Sequence, residues 1–363
     1  MRKINFSAGP SVLPEIVLSR LKEGVFDYNG TGVGIFEIGH RTKEFMAIVD
    51  EAKARLLSLL GASSDFDVLF MTGGATQMFS TVPLNINSNS SKPAGYLVSG
   101  HWAKEAVSEA KKFREVVEIS STEDQGFKSL PEQDVDYSKY SYVHITSNNT
   151  IFGTQIQETP NTGDIPLICD ASSDILSREI NINDFGLIYA GAQKNLGTSG
   201  VTVVIVRKDL IEEGRGAKFA KSLTLDTYSK SNSLHNTPPV SAIVAVSEML
   251  KWIEEQGGVR ALDSVNKTKA ELVYDAIDSS KVFKSYADQN ARSKMNVTFK
   301  ATTEAQEQSF IKYCESSNVI GLAGHRSVGG LRASLYNAVS LDQVNVLVGL
   351  IKEFDNATSK IFT

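Results

Sequence analysis

Residues 166–206 read PLICDASSDILSREININDFGLIYAGAQKNLGTSGVTVVIV. Two short apolar runs and one run of β-branched residues are set in this stretch: 166–170 (PLICD), 187–190 (LIYA) and 201–206 (VTVVIV). The last is the plainest strand signal in the chain. Strands this short and this uniformly apolar suit a parallel sheet covered on both faces, where neither side meets water. Asp170 closes the first run, and Lys194 follows the second by a few residues, so both are expected on one rim of the sheet. In open parallel sheets ligands bind just beyond the carboxyl ends of the strands.

Working outward, the same rhythm continues. Residues 67–72 (DVLFMT) predict a strand, Gly73 and Gly74 a turn, and 75–84 an apolar-periodic segment. Strands are expected at 96–99, 116–120 and 142–146, with a helix over 102–113 and an exposed Ser/Asn loop at 85–91. Pro238-Pro239 opens a helix with Ile243, Val246, Leu250 and Ile253 on one face, ended at Gly257-Gly258. Beyond a further helix over 259–277 the alternation changes. Strands are expected at 295–300, 319–324 and 331–335, and helices at 303–317 and 341–356. The fold class is therefore α/β: a large domain with a mostly parallel sheet over 1–257, and a smaller α+β domain over 258–363. The N-terminal segment is expected to contact the small domain.

Length agrees, since 363 residues suit two domains. An apolar fraction of 41% with 22% charged residues is ordinary for a globular protein. The net charge is −5 and the isoelectric point about 5.7, and no Lys/Arg run could supply the basic face of a nucleic-acid binder. Cys169 and Cys314 lie outside any CxxC or Cys/His cluster, against a zinc site or disulfide framework. Gly9 and Pro10 interrupt any apolar leader, and no stretch approaches the roughly 18 apolar residues of a membrane span. A soluble, cytoplasmic protein is expected.

Three constellations could carry chemistry. The Asp170/Lys194 pair matches the needs of pyridoxal 5'-phosphate (PLP): a lysine for the Schiff base and an aspartate to keep the pyridine nitrogen protonated. A single lysine is usually a solvated surface group, and an aspartate at a strand end is often a helix cap, so the spacing alone leaves both readings open. The second is MTGGATQ (71–77), whose glycine pair before a helix would present backbone N–H groups to a phosphate. It has neither P-loop nor GxGxxG spacing, and by itself a plain strand–turn–helix connection explains it. The third is cationic: His40-Arg41, His325-Arg326 and, six residues on, Arg332. Arginines pair carboxylates and phosphates in bidentate fashion, whereas isolated surface ion pairs contribute little; the repeated His-Arg pair favours an anion site. Trp102 beside His101 could stack on an aromatic ring, although core packing is the default for tryptophan.

These residues resemble the phosphoserine aminotransferase family of fold-type I PLP enzymes from end to end. NFSAGPSVLP, GHRTKEF, TGGATQMF, HWAKEA, DASSDILSR, YAGAQKNLGTSG, NTPP and GHRSVGGLRASLYNA occur in the family's order. The resemblance implies a transferase of serine biosynthesis, moving an amino group from glutamate to 3-phosphohydroxypyruvate to give phosphoserine and 2-oxoglutarate. It implies Lys194 and Asp170 as catalytic groups, with Trp102 stacked on the PLP ring and Thr150 at its edge. Ala75, Thr76 and Gln193 would bind the PLP phosphate. Asn236 and Thr237 would reach that phosphate from a partner subunit, which implies a homodimer with shared sites. Arg332 would take the substrate α-carboxylate, and His40, Arg41, His325 and Arg326 the distal anion. Some members carry Arg where Thr76 stands, so the cations present here would divide the phosphate between them differently.

The other readings are a second fold-type I aminotransferase acting on small amino acids, a desulfurase, and a non-catalytic or nucleotide-binding α/β protein that uses TGGATQ for phosphate. A desulfurase needs a mobile, exposed cysteine, and Cys169 and Cys314 sit in a strand and a helix by the pattern.

Overall fold

The computed structural model describes residues 2–214 and 219–359. A two-residue strand, β1 (Ile4–Asn5), precedes helices α1 (Glu15–Glu23) and α2 (Lys43–Leu59). Both helices lie where the sequence reading places no element. In α2 the hydroxyl of Thr42 accepts the backbone N–H of Phe45, and Phe45, Ile48, Val49, Ala52 and Leu56 form the buried stripe of a core-facing helix.

The central sheet follows: β2 (Phe66–Thr72), α3 (Ala75–Asn85), β3 (Ala94–Val98), α4 (His101–Ala110), β4 (Val116–Ser121), β5 (Val143–Thr146), β6 (Leu167–Asp170), β7 (Leu187–Gly191) and β8 (Val201–Arg207). The strand order is β2-β8-β7-β6-β5-β3-β4. Five neighbours, β7 through β4, run parallel, and β8 is antiparallel to both β7 and β2. The mostly parallel α/β sheet expected from the sequence is thus present, with one reversed strand. That strand, VTVVIVR, is buried along all but its last residue. Register places Asp170 opposite Thr146 on one side and Tyr189 on the other. The expected 85–91 loop is corrected at its start: Asn85 is the last residue of α3 and is buried. Its amide donates to Thr81 O and Leu223 O and accepts Leu225 N–H, interior bonds that a loop residue would make with water.

Short helices α5 (Lys208–Glu213) and α6 (Leu225–Lys230) lead to α7 (Val240–Glu255) and α8 (Gly258–Asp278). The chain then forms β9 (Phe283–Ser285), β10 (Asn296–Ala301), α9 (Glu304–Ser316), β11 (Val319–Ile320), β12 (Leu331–Ser334) and α10 (Leu341–Ser359). A capping box at Thr303 and Gln306 starts α9. The strand expected over 319–324 stops after two residues. Gly321 takes φ +85°, and a Cβ there would meet the backbone of Ser7 at 2.5 Å, so the chain turns instead of extending.

The sheet is buried on both faces, by α2, α7 and the adjoining loops on one side and by α3, α4, α5 and α6 on the other. A second core gathers Ala270, Val273 and Ile277 of α8 with β9–β12, α9 and α10. Helix α8 joins the two, since its Val259 and Leu262 pack in the first core. The N-terminal segment enters the second: β1 pairs in parallel with β11, and Phe6 and Val12 are buried there. Lys269 of α8 is buried and donates from Nζ to the carbonyls of Leu335, Tyr336 and Val339 at 2.8, 2.9 and 3.0 Å. No helix among the described residues is long and apolar enough to cross a membrane. Cys169 and Cys314 are buried free thiols, with burial pushing the Cys314 thiol up to about 12.

Candidate active site

The carboxyl ends of β5, β6 and β7 open on a cavity whose wall includes Asp170, Lys194, Thr150, Trp102, Thr76 and Gln193. Asp170, the last residue of β6, is 5% exposed. Its Oδ1 accepts the backbone N–H of Ser172 at 3.0 Å and the Ser172 hydroxyl at 2.6 Å. Burial raises its carboxyl above the usual range, and Ser172 and Lys194 oppose that shift. Lys194 lies in the turn after β7. Burial pushes its amine down to about 8, against the opposing pull of Asp170, and the nearby positive charge of Arg332 lowers it further. Its Nζ donates to Thr150 Oγ1 at 2.7 Å.

Helix α3 begins at this rim. Its N-cap is Gly74, with extended backbone and no side-chain cap, so the first-turn N–H groups at Ala75 and Thr76 face the cavity end of the helix. Gly73 takes φ +111°, and a Cβ there would meet Gln77 Oε1 at 2.5 Å. Gly73 is therefore a geometric need of the turn into α3, whereas Gly74 has extended backbone and open space where a Cβ would stand.

On the far side β12 presents Arg332, whose Nη1 donates to Thr150 O at 3.0 Å. Its Nε is buried without a partner among the described residues, and burial lowers its pKa. His325 sits in the loop before β12, its ring 6.2 Å from that of His101 at the start of α4. Burial and then the charges of Arg332, His101 and Arg326 hold the His325 pKa down.

The structure thus brings together Asp170, Lys194, Thr150, Trp102, Ala75, Thr76 and Gln193, with Arg332, His325 and Arg326 beside them. Among the described residues it does not bring His40, Arg41, Asn236 or Thr237 to this cavity. Arg41, Asn236 and Thr237 are exposed, and His40 Nε2 is buried without a partner. Cavity residues the sequence reading assigns no role are Phe79, Thr146, Asn148, Ser172 and Ser173, while Gly74 belongs to the expected glycine turn. The only sequence signal for the serines is their place just after a strand-ending aspartate.

A larger polar cleft lies between α1, α2 and α7, where most charges are paired although Arg20 Nη1 and Arg55 Nε are buried without a hydrogen-bond partner among the described residues. Arg20 meets Glu255 at 2.8 Å, Lys251 meets Glu248 at 3.0 Å, and Tyr28 donates to Glu248 at 2.8 Å. The cavity at Lys194 differs in holding a buried amine with a lowered pKa and a buried carboxylate on one wall, the features of a site made for a ligand.

PLP fits these residues. The cavity offers an amine, a buried carboxylate for a ring nitrogen, an uncapped helix N-terminus for a phosphate, and Thr146 Oγ1 buried without a partner.

The Aminotransferase class-V family model matches residues 4–347. A phosphoserine aminotransferase of Bacillus cereus is 45% identical over 357 residues, covering 98% of each chain. The chain belongs to the phosphoserine aminotransferase family, within class V. The solved phosphoserine aminotransferase of Bacillus circulans subsp. alkalophilus superposes with a TM-score of 0.95 at 45% identity, covering 98% of this chain and 99% of that one. A PLP-bound member of the family from Trichomonas vaginalis superposes with a TM-score of 0.88 at 34% identity, covering 97% and 100%. The fold-type I architecture expected from the motifs is the architecture of these relatives.

Proposed function

We propose that the chain is a phosphoserine transaminase, using PLP to move an amino group from glutamate to 3-phosphohydroxypyruvate and yielding phosphoserine and 2-oxoglutarate. Membership of the phosphoserine aminotransferase family supports this substrate pair. The observation that carries the chemistry is the meeting of Lys194 and Asp170 in one cavity, beside an arginine that has a donor to spare.

PLP, when bound, supplies a carbonyl carbon to carry the amino group and a ring that draws off the electron pair left by the departing α-proton. Asp170 keeps the pyridine nitrogen protonated. Lys194 Nζ would take up and release the proton at the substrate Cα, work suited to an amine lowered to about 8. Thr150 holds Nζ at the cavity edge. Trp102 stacks on the ring, while Ala75, Thr76 and Gln193 bind the cofactor phosphate. Arg332 takes the α-carboxylate, leaving His325 and Arg326 for the distal phosphate or carboxylate.

His40, Arg41, Asn236 and Thr237 serve a site of a second copy in this reading, which makes the enzyme a homodimer with shared sites. Their absence from their own chain's cavity supports it. The chain divides into a large domain over 1–257 and a small one over 258–363, acts in the cytoplasm, and has neither nucleic-acid nor membrane partners.

Amino-acceptor profiling with glutamate as donor tests the assignment. The expected outcome is a kcat/KM for 3-phosphohydroxypyruvate well above those for pyruvate and glyoxylate. Faster turnover of an unphosphorylated small oxo acid would favour the second reading, another fold-type I aminotransferase of small amino acids. Sedimentation of the holoenzyme as a monomer would sink the shared-site arrangement.

A further inference from the structure

Ser172 makes three polar contacts, all on groups that frame the cavity. Its backbone N–H and its hydroxyl both donate to Asp170 Oδ1, at 3.0 and 2.6 Å, and its hydroxyl oxygen accepts the N–H of Gly191 at 3.1 Å. Gly191 ends β7, three residues before Lys194. The hydroxyl proton and one lone pair are therefore both committed, and the side chain, 6% exposed, has one orientation. That single hydroxyl spans the ends of two adjacent strands, one carrying the carboxylate and the other leading to the lysine.

We propose that Ser172 is a positioning residue for the cofactor: it fixes the Asp170 carboxylate and the β7 end in mutual register and keeps the carboxylate an acceptor for the pyridine nitrogen. This rests on the reading that Asp170 pairs that nitrogen. A carboxylate taken out of water favours its neutral form unless donors replace the lost hydration. Ser172 supplies two such donors to Oδ1, which leaves Oδ2 for a ring N–H. A neutral Asp170 would offer a proton where one must be received, and the ring would lose its electron-withdrawing power. The burial-raised pKa of Asp170, opposed chiefly by Ser172, agrees with this assignment.

The test uses full-length protein, stripped of cofactor and reconstituted with PLP labelled with ¹⁵N at the pyridine nitrogen. Two quantities are read: the PLP dissociation constant and the ¹⁵N shift, which reports protonation at that atom. Ser172→Ala removes the donor, and Ser172→Cys keeps the volume with only a weak donor, so a packing defect in the first is checked by the second. A hydrogen bond to a charged group contributes about 1.5–3 kcal/mol, so both variants should weaken PLP binding about tenfold or more. Both should move the ¹⁵N resonance toward the unprotonated value, and Ser172→Thr should restore both readings. Wild-type shifts and affinities in the alanine and cysteine variants would overturn the proposal. Asp170→Asn separates the two levels of the argument. If it too leaves the resonance unmoved, the pairing of Asp170 with the ring is wrong; if it moves the resonance while the Ser172 variants do not, only the role of Ser172 fails.

Discussion

Thr150 receives Lys194 Nζ on its hydroxyl at 2.7 Å while its own carbonyl receives Arg332 Nη1 at 3.0 Å. Thr150, four positions beyond the end of β5, thus holds both the amine proposed to work at the substrate Cα and the guanidinium proposed for the carboxylate on that same carbon. The two cations share one neutral partner.

Replacing Lys194 with Ala removes the only lysine of the cavity wall among the described residues. Amino transfer from glutamate should fall by about a thousandfold or more, the scale of a lost general base. PLP should still bind, but borohydride should leave none attached after denaturation. Substantial residual transfer in single-turnover assays would move the proton shuttle to another group.

The lysine should also reveal itself by pH. Its folded pKa is lowered to about 8, so below that value the amine is protonated and inert, and above it free and nucleophilic. Competitive labelling of the cofactor-free protein with an amine reagent should give Lys194 a midpoint near 8. Exposed lysines should titrate about two units higher. A Lys194 midpoint among the ordinary lysines would show that its burial is overstated.

Arg332 and the peripheral cations should separate in steady-state kinetics. Arg332→Ala should lower kcat/KM for glutamate and phosphoserine alike, by about a hundredfold, because both carry the α-carboxylate. Arg326→Ala and Arg41→Ala should raise KM for phosphoserine most. Unchanged KM for phosphoserine in both would place the phosphate elsewhere.

Lys269→Met should destabilise the fold rather than the chemistry. It strands two buried carbonyls, at Leu335 and Val339, each costing about 1–3 kcal/mol when left unpaired, while Tyr336 O keeps the N–H of Val339 at 2.9 Å. Denaturant titration should show a loss of about 3 kcal/mol or more. A loss under about 1 kcal/mol would show that water replaces the amine.

The central sheet is legible because parallel strands buried on both faces leave no polar alternation to confuse the reading. Its carboxyl rim then follows, with Asp170 and Lys194 on it. Strands β1 and β9 span two and three residues, too few for a period to show. Helix α1 buries Val17 alone and leaves no stripe to read, whereas α2 carries a clear one at Phe45, Ile48, Val49, Ala52 and Leu56 that the sequence reading passes over. The expected strand over 319–324 fails at Gly321, whose left-handed backbone depends on the approach of Ser7 from the far end of the chain. Within the site, Ser172, Ser173 and Asn148 look like any polar residues near strand ends. Their partners lie 2 to 148 positions away, and only folding assigns them.

The pairing of Ile4 with Val319 has a consequence for synthesis. Ile4 leaves the ribosome more than three hundred residues ahead of its partner. Ser11, a few positions on, donates its N–H to Gln193 O at 2.9 Å, next to Lys194. During translation the large sheet can assemble early, while the segment that braces this lysine still has no strand to join. A nascent chain therefore carries an unfinished pocket for most of its elongation.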